Sequence, residues 1–190
     1  MTVEDLAGAM RITPNAVRNQ LAKLQEANLV TRSGTRPGVS KPSAVYSITL
    51  EGQVQFSTIY LPVLIQFLRT TERECTEHEL LPFMRDTGKS LATRYPKPAG
   101  STKARVNAAA RLIGSFGGLP QVRAREGALV IESLGCPLAA LTSENAAACR
   151  ILEGFIGEYV GSRTRMCCIQ DPAPRCCFEI EKRGDQTTRA

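Results

Sequence analysis

Six of the seven cysteines in this 190-residue chain fall between positions 136 and 177, and that crowding limits what the C-terminal third can become. The spacings are irregular: twelve residues separate Cys136 from Cys149, and seven separate Cys168 from Cys176. Neither is the Cys-x-x-Cys of a zinc ribbon, so placement on elements has to carry the argument. Cys136 falls at a strand end just before a proline, and Cys149 falls on a helix. The doublets Cys167-Cys168 and Cys176-Cys177 lie on two strands joined by a Pro-rich turn. Successive strand side chains point to opposite faces, so only one member of each doublet reaches a common site. Four converging thiolates are the complement of a Cys₄ zinc site or a [4Fe–4S] cluster. Two other readings use the same residues: cysteine as a small buried hydrophobe, and a reversible thiol–disulfide switch.

Composition narrows the setting. Hydrophobic residues make up 43% and charged residues 22%, which is ordinary globular composition and excludes a disordered chain. No apolar run approaches the ~20 residues of a bilayer span, which argues against a membrane protein. The start, MTVEDLAGAM, has no cationic segment leading into an apolar core, so a secretory signal is not expected. A cytoplasmic protein is the expectation, with cysteines that are reduced, metal-bound or redox-active rather than a disulfide framework. No phosphate-binding glycine motif, carboxylate pair or nucleophile partner for the lone His78 stands out, so an enzyme is not expected.

The net charge of +6 is uneven. Residues 11–41 hold Arg11, Arg18, Lys23, Arg32, Arg36 and Lys41 against Glu26 alone, an electrostatic footprint for phosphate or a plain solvated surface. The pattern beneath the charge favours phosphate. Val3, Leu6 and Met10 recur at helical spacing behind Thr2 and Asp5, a capping-box-like start. After the short link Arg11-Ile12, Thr13 as N-cap and Pro14 in the first turn open a second helix, with Val17, Leu21 and Leu24 on one face. Asn15, Arg18, Asn19 and Lys23 lie off that face. Such groups read base edges or hold phosphates, and helix–short turn–helix is the helix-turn-helix arrangement. Strands at Leu29–Thr31 and Ala44–Ile48 enclose the basic loop RSGTRPGVSKP, whose Arg32, Arg36 and Lys41 would serve as wing cations.

The segment TVEDLAGAMRITPNAVRNQLAKLQEANLV resembles the reading head of ArsR-like winged-helix regulators, especially the SufR-like group that controls iron–sulfur cluster biogenesis. Tyr46, Ile48, Thr49 and Gly52 are similar to that group's Tyr-x-Leu-Thr-x-x-Gly junction, with Ile in place of Leu, and Gly88-Lys89-Ser90-Leu91-Ala92 resembles its Gly-x-x-Leu-Ala element. Cys136-Pro137-Leu138, a later helix cysteine and Cys176-Cys177-Phe178-Glu179-Ile180 are similar to its effector domain. The resemblance implies a cluster held by Cys136, Cys149 and Cys176, with Cys168 as the fourth ligand. In the SufR-like pattern the third cysteine falls nearer Arg163, and the Cys-x₇-Cys pair instead resembles vinyl-reductase-type sensor domains, some of which bind zinc.

The expected fold is therefore α+β in four parts. A winged helix-turn-helix occupies 1–56, and a dimerisation helix 57–71 carries the stripe Ile59, Val63, Leu64, Phe67 and Leu68, whose other reading is monomer core. A cysteine-bearing α+β sensor domain spans 72–183, ahead of a disordered tail at 184–190. Within the sensor domain, helices are expected at 80–95 and 102–116, a hairpin at 122–134 turning on Glu126-Gly127, and a helix N-capped by Ser143 that runs to about Tyr159. Cys75 reads as a free thiol and His78 as a surface residue. The expected function is a homodimeric transcriptional regulator, acting as a repressor on a double-stranded DNA operator, whose affinity follows a [4Fe–4S] cluster. The alternatives are a Zn²⁺-stapled regulator sensing a small molecule and a thiol–disulfide redox sensor.

Overall fold

A computed structural model of the chain describes residues 1–38, 41–168 and 175–182. It is a mixed α+β protein that divides into two compact units, Met1–Pro62 and Val63–Ala190. The expected tail at 184–190, Val39 of the basic loop and most of the Pro-rich turn lie outside the described residues. No helix among the described residues is long and apolar enough to cross a membrane.

The first unit begins with α1 (Val3–Met10), whose N-cap Thr2 and third residue Asp5 form a full capping box. Each satisfies a backbone N–H that the helix start would otherwise leave bare. The chain reverses at Arg11 in the left-handed region and enters α2 (Pro14–Glu26) through the Thr13 cap. Strands β1 (Val30–Arg36) and β2 (Ser43–Ile48) pair antiparallel with a register shift between Arg32 and Gly34. β1 is longer than the Leu29–Thr31 expected. Its outer half is exposed and polar, so ladder pairing with β2 rather than burial extends it. The core here is small: Val3, Ala7, Val17 and Leu21, with Leu6, Val30 and Tyr46 against them. Thr49 then caps the short helix α3 (Leu50–Phe56) and ties it to Asn28 through a hydroxyl hydrogen bond of 2.7 Å.

Helix α4 (Tyr60–Glu74) contains the division between the units. Of the apolar stripe read from the sequence, only Leu68 is buried, among Leu80, Met84, Leu141 and Ala148. Val63, Leu64 and Phe67 are exposed, Phe67 at 66%, so the monomer core does not absorb them.

In the second unit, α5 (Glu77–Ala92), α6 (Thr102–Ser115) and α8 (Cys149–Val160) accompany a four-stranded antiparallel sheet. Its strands are β3 (Pro120–Arg125), β4 (Ala128–Ser133), β5 (Thr164–Met166) and β6 (Cys176–Glu181), in the order β3-β4-β6-β5. The two-residue turn Glu126-Gly127 joins β3 to β4, and Gly127 takes a positive φ of 71°, which glycine adopts without steric cost. Val106, Ile113, Leu129, Ile131, Phe155, Ile156, Phe178 and Ile180 form the core. Tyr95, Phe116 and Phe155 close it with mutual edge-to-face contacts at 5.7 Å.

One expectation fails in this unit. Ser143 does not cap the helix carrying Cys149; it ends the single turn α7 (Ala139–Thr142). The Asn145 side chain then accepts from the Ala147 N–H at 2.7 Å, and a 3₁₀ turn (Ala146–Ala148) leads into α8, whose first residue is Cys149. Asparagine satisfies a local backbone donor as readily as serine, and here it lies two residues nearer the helix.

α5 and α8 cross at backbone contact. A Cβ on Gly88 would fall against the Ile151 carbonyl, and a Cβ on Gly154 against the Arg85 carbonyl. Because the obstacle is rigid backbone on both sides, Gly154→Ala should destabilise the fold by on the order of 3 kcal/mol. Gly8→Ala, whose Cβ meets nothing within 4 Å, should leave stability unchanged or slightly raised. Thermal unfolding of the two variants compares them directly; equal midpoints would show that the crossing can open without penalty.

Candidate functional site

The sheet register decides where each cysteine points. Residues opposite each other across a ladder share a face. Phe178 faces Ile131 and Met166, so Cys176, two residues before Phe178 on β6, turns inward with the core. Cys168, two residues past Met166, turns the same way and packs against that core. Cys177 pairs with Glu132 on the opposite face. Cys167, whose N–H donates to the Cys177 carbonyl at 2.7 Å, lies beside it there. One member of each doublet thus faces in and one faces out, as alternation requires.

The inward pair meets two further thiols. Cys136 arrives from the segment after β4, and Cys149 from the first turn of α8. Side-chain hydrogen bonds join Cys136 to Cys176, Cys176 to Cys168, and Cys168 to Cys149. All four candidate ligands therefore form one chain of thiols from four separate segments. Cys149 and Cys176 are buried, and Cys136 and Cys168 are partly so. Around them, the Cys177 N–H donates to Cys168 Sγ at 3.3 Å, and the Thr142 hydroxyl stands 3.9 Å from Cys136 Sγ.

These contacts divide the protons unequally. The hydrogen bond from Cys176 draws the Cys136 thiol down to about 6 from its ordinary 9, against the opposing effect of burial. Cys168 is lowered further, first by Cys149 and then by Cys176. Cys176 is raised, because it donates to Cys136 and Cys168 and because burial favours its neutral form. Thiolates are the reactive form of cysteine, so Cys136 and Cys168 are the more nucleophilic members of the chain. Among the described residues, no group of three or more His, Cys, Asp or Glu side chains is arranged as a metal-holding set. The four thiols are closed upon one another.

Glu153 was not singled out in the sequence, although a carboxylate inside the apolar run ILEGFIGEYV was a visible signal. It lies one turn beyond Cys149 on α8 and is 5% exposed. It accepts from the Met166 N–H at 3.0 Å, from Arg85 at 3.0 Å and from Arg150 at 3.1 Å. Burial pushes its carboxyl up, but the Met166 N–H and the two arginines outweigh that and hold it below the usual carboxylate range. The carboxylate therefore pins the end of β5, and with it the approach to Cys168, onto α8.

The outward cysteines require a correction. Cys167 and Cys177 form a disulfide, whereas the expectation was of reduced, metal-bound or redox-active thiols rather than a disulfide framework. Adjacency across an antiparallel pair explains it, since their Cα atoms are 4.9 Å apart on the same face. Cys75 remains a free thiol, and His78 is exposed on α5, as expected.

In the first unit, Thr13, Asn15, Arg18, Asn19, Lys23, Arg32, Arg36 and Lys41 are all exposed. They are not equally available. Thr13 is occupied as the cap of α2, and Asn15 accepts from Arg18 at 2.8 Å. Arg36 is turned back onto Asp5 at 2.6 Å and donates to the Thr2 hydroxyl at 3.3 Å. The Thr2 N–H and Arg36 together hold the Asp5 carboxyl near 2. Lys23, Arg32 and Lys41 have no ion pair among the described residues.

No protein-family model matches the chain, and no curated protein is significantly similar to it.

The proton distribution in the thiol chain is open to direct measurement. In reduced, metal-free protein at pH 7, a brief iodoacetamide pulse should label Cys136 and Cys168 about tenfold faster than Cys176. A lowered thiol stays ionised above its own pKa, so labelling of Cys136 should hold level as pH falls from 9 and decline only through about 6. Peptide mapping across that range reads both effects. A decline already complete near pH 8 would place the proton on Cys136 instead.

Proposed function

We propose that this chain is a DNA-binding transcriptional regulator in which a thiolate-held metal centre in the second unit sets the affinity of the first unit for its operator. The observation that carries the reading is the convergence of Cys136, Cys149, Cys168 and Cys176 from four segments into one thiol chain, in a protein that also exposes Arg18, Lys23, Arg32 and Lys41 beside a helix-turn-helix pattern. Four sulfurs of which two are drawn toward thiolate suit a soft metal, and the N–H···S hydrogen bond to Cys168 is of the kind that tunes iron–sulfur centres. A [4Fe–4S] cluster is the centre favoured here, with Zn²⁺ second. A bound cluster would supply an oxidant-sensitive group whose loss changes which thiols are tied together.

The protein's own residues do the rest in this reading. Glu153 fixes the Cys149 and Cys168 segments to each other, and the Cys177 N–H steadies the sulfur of Cys168. α1, α2 and the β1–β2 hairpin make the winged helix-turn-helix, with α2 as recognition helix in the major groove. The exposed apolar side chains of α4 make the seam of a homodimer that matches a two-fold operator. Holding or losing the centre shifts the equilibrium between high- and low-affinity states, and a coupling of ~1–3 kcal/mol corresponds to about 5- to 150-fold in affinity. The direction proposed is repression.

A second reading, a thiol–disulfide sensor, draws support from the Cys167–Cys177 bond next to the thiol chain.

Two outcomes are expected. Protein prepared without oxygen should contain about four iron and four sulfide per chain, and its affinity for a duplex enriched from a random-sequence pool should change when the cluster is removed. Zinc without sulfide would make the centre a structural staple, and unchanged affinity would sink the regulatory link. Separately, Arg18→Ala and Lys23→Ala should each weaken that binding by about tenfold while leaving metal content as it was. Metal lost in either variant would contradict the division of roles between the units.

A further inference from the structure

The outward face of the second unit's sheet is not inert. Cys167 and Cys177 open onto a cavity of about 500 Å³ that Arg123, Arg125 and Arg175 also line, with Glu132 as its one acidic side chain among the described residues. Arg123 and Arg125 stand 3.4 and 3.2 Å from Glu132, so a single carboxylate is shared between two guanidinium groups while Arg175 adds a third cation. Both sulfurs belong to residues that are only partly buried, in a groove whose charge balance is positive.

We propose that this groove is a thiol–disulfide exchange site for a small anionic thiol, one that carries a carboxylate or similar group beside its sulfur. The arginines would bind the anionic group and so raise the local concentration of the reagent at the disulfide. The reagent thiolate attacks one sulfur of the pair, forming a mixed disulfide while the other cysteine leaves as a thiolate. A second reagent thiolate attacks the reagent's own sulfur in that mixed disulfide, releasing reagent disulfide and the second cysteine thiolate. Two thiols become one disulfide, the Cys167–Cys177 bond becomes two thiols, and the protons lost by the reagent match those taken up by the cysteines. The exchange needs neither DNA nor a bound metal. Where the metal centre exists, the reaction opens the clasp immediately outside two of its ligands, Cys168 and Cys176.

The test uses the full chain, aerobically prepared, at low ionic strength. Reduction of Cys167–Cys177 by 3-mercaptopropionate and by cysteamine is followed by peptide mapping, each rate being divided by that reagent's rate with a neutral small disulfide. The anionic thiol should be favoured by about tenfold, and the preference should shrink in ~1 M salt, where screening acts within about 3 Å. It should fall to about twofold or less in the variant Arg123→Gln/Arg125→Gln/Arg175→Gln and rise in Glu132→Gln, which frees the two paired arginines. Equal normalised rates in the unaltered protein, or a preference that survives the triple substitution, would overturn the proposal. So would finding Cys167 and Cys177 unpaired in the starting material.

Discussion

The second unit depends on how closely α5 and α8 approach. Gly88 and Gly154 let the two backbones touch, and that proximity places the Arg85 guanidinium against the buried Glu153 carboxylate. A buried carboxylate without partners is costly, and removing one partner of such a group costs more than the pair contributes. Once the crossing is set, Glu153 has fixed orientation and can also accept from the Met166 N–H at the end of β5. Cys149 lies one turn before it and Cys168 two residues beyond Met166, so the two glycines indirectly determine whether those sulfurs meet.

The doublets put two kinds of sulfur chemistry on the two sides of one sheet. Inside, Cys168 and Cys176 share hydrogen bonds with Cys136 and Cys149 in partly buried surroundings that favour an unequal division of protons. Outside, Cys167 and Cys177 are covalently joined near the ion pairs of Arg123 and Arg125 with Glu132 and of Arg165 with Glu179. The doublet allows this because the strand period is two: a residue inserted within each doublet would put all four sulfurs on a single face. Backbone continuity then makes each side mechanically aware of the other, since no residue intervenes between an inward sulfur and its outward neighbour.

Local chemistry made much of this legible. Thr13-Pro14 favoured a helix start, Glu126-Gly127 within an alternating stretch favoured a hairpin, and both elements stand where those residues put them. The inward–outward split of the doublets followed from strand alternation alone. Partners distant in sequence were not legible. Glu153 acquires its meaning from Arg85 and Met166, neither of which is identifiable as a neighbour before the chain folds. The Cys167–Cys177 bond required the register of β5 against β6, and a general expectation about redox compartment pointed the other way. Ser143 misled because Asn145, an equally good acceptor, stood closer to the helix. On α4 the pattern gave a stripe but not its side, and only Leu68 found a place inside the monomer.

The pairing of Arg36 with Asp5 changes how the basic segment behaves as a polyelectrolyte. An arginine meeting a phosphate releases a counterion, and each such contact steepens the fall of binding with salt by about 0.9 in logarithmic slope. Arg36 already has a carboxylate as its counterion, and that carboxylate also belongs to the capping box of α1. Moving Arg36 to a phosphate would still displace that phosphate's cation, but it would first have to give up Asp5 and the Thr2 hydroxyl, so this contact gains less than one made by an unpaired cation. The number of cations between residues 11 and 41 is thus an upper bound on the ionic contacts this segment can add, and the ionic-strength dependence would be shallower than its charge suggests.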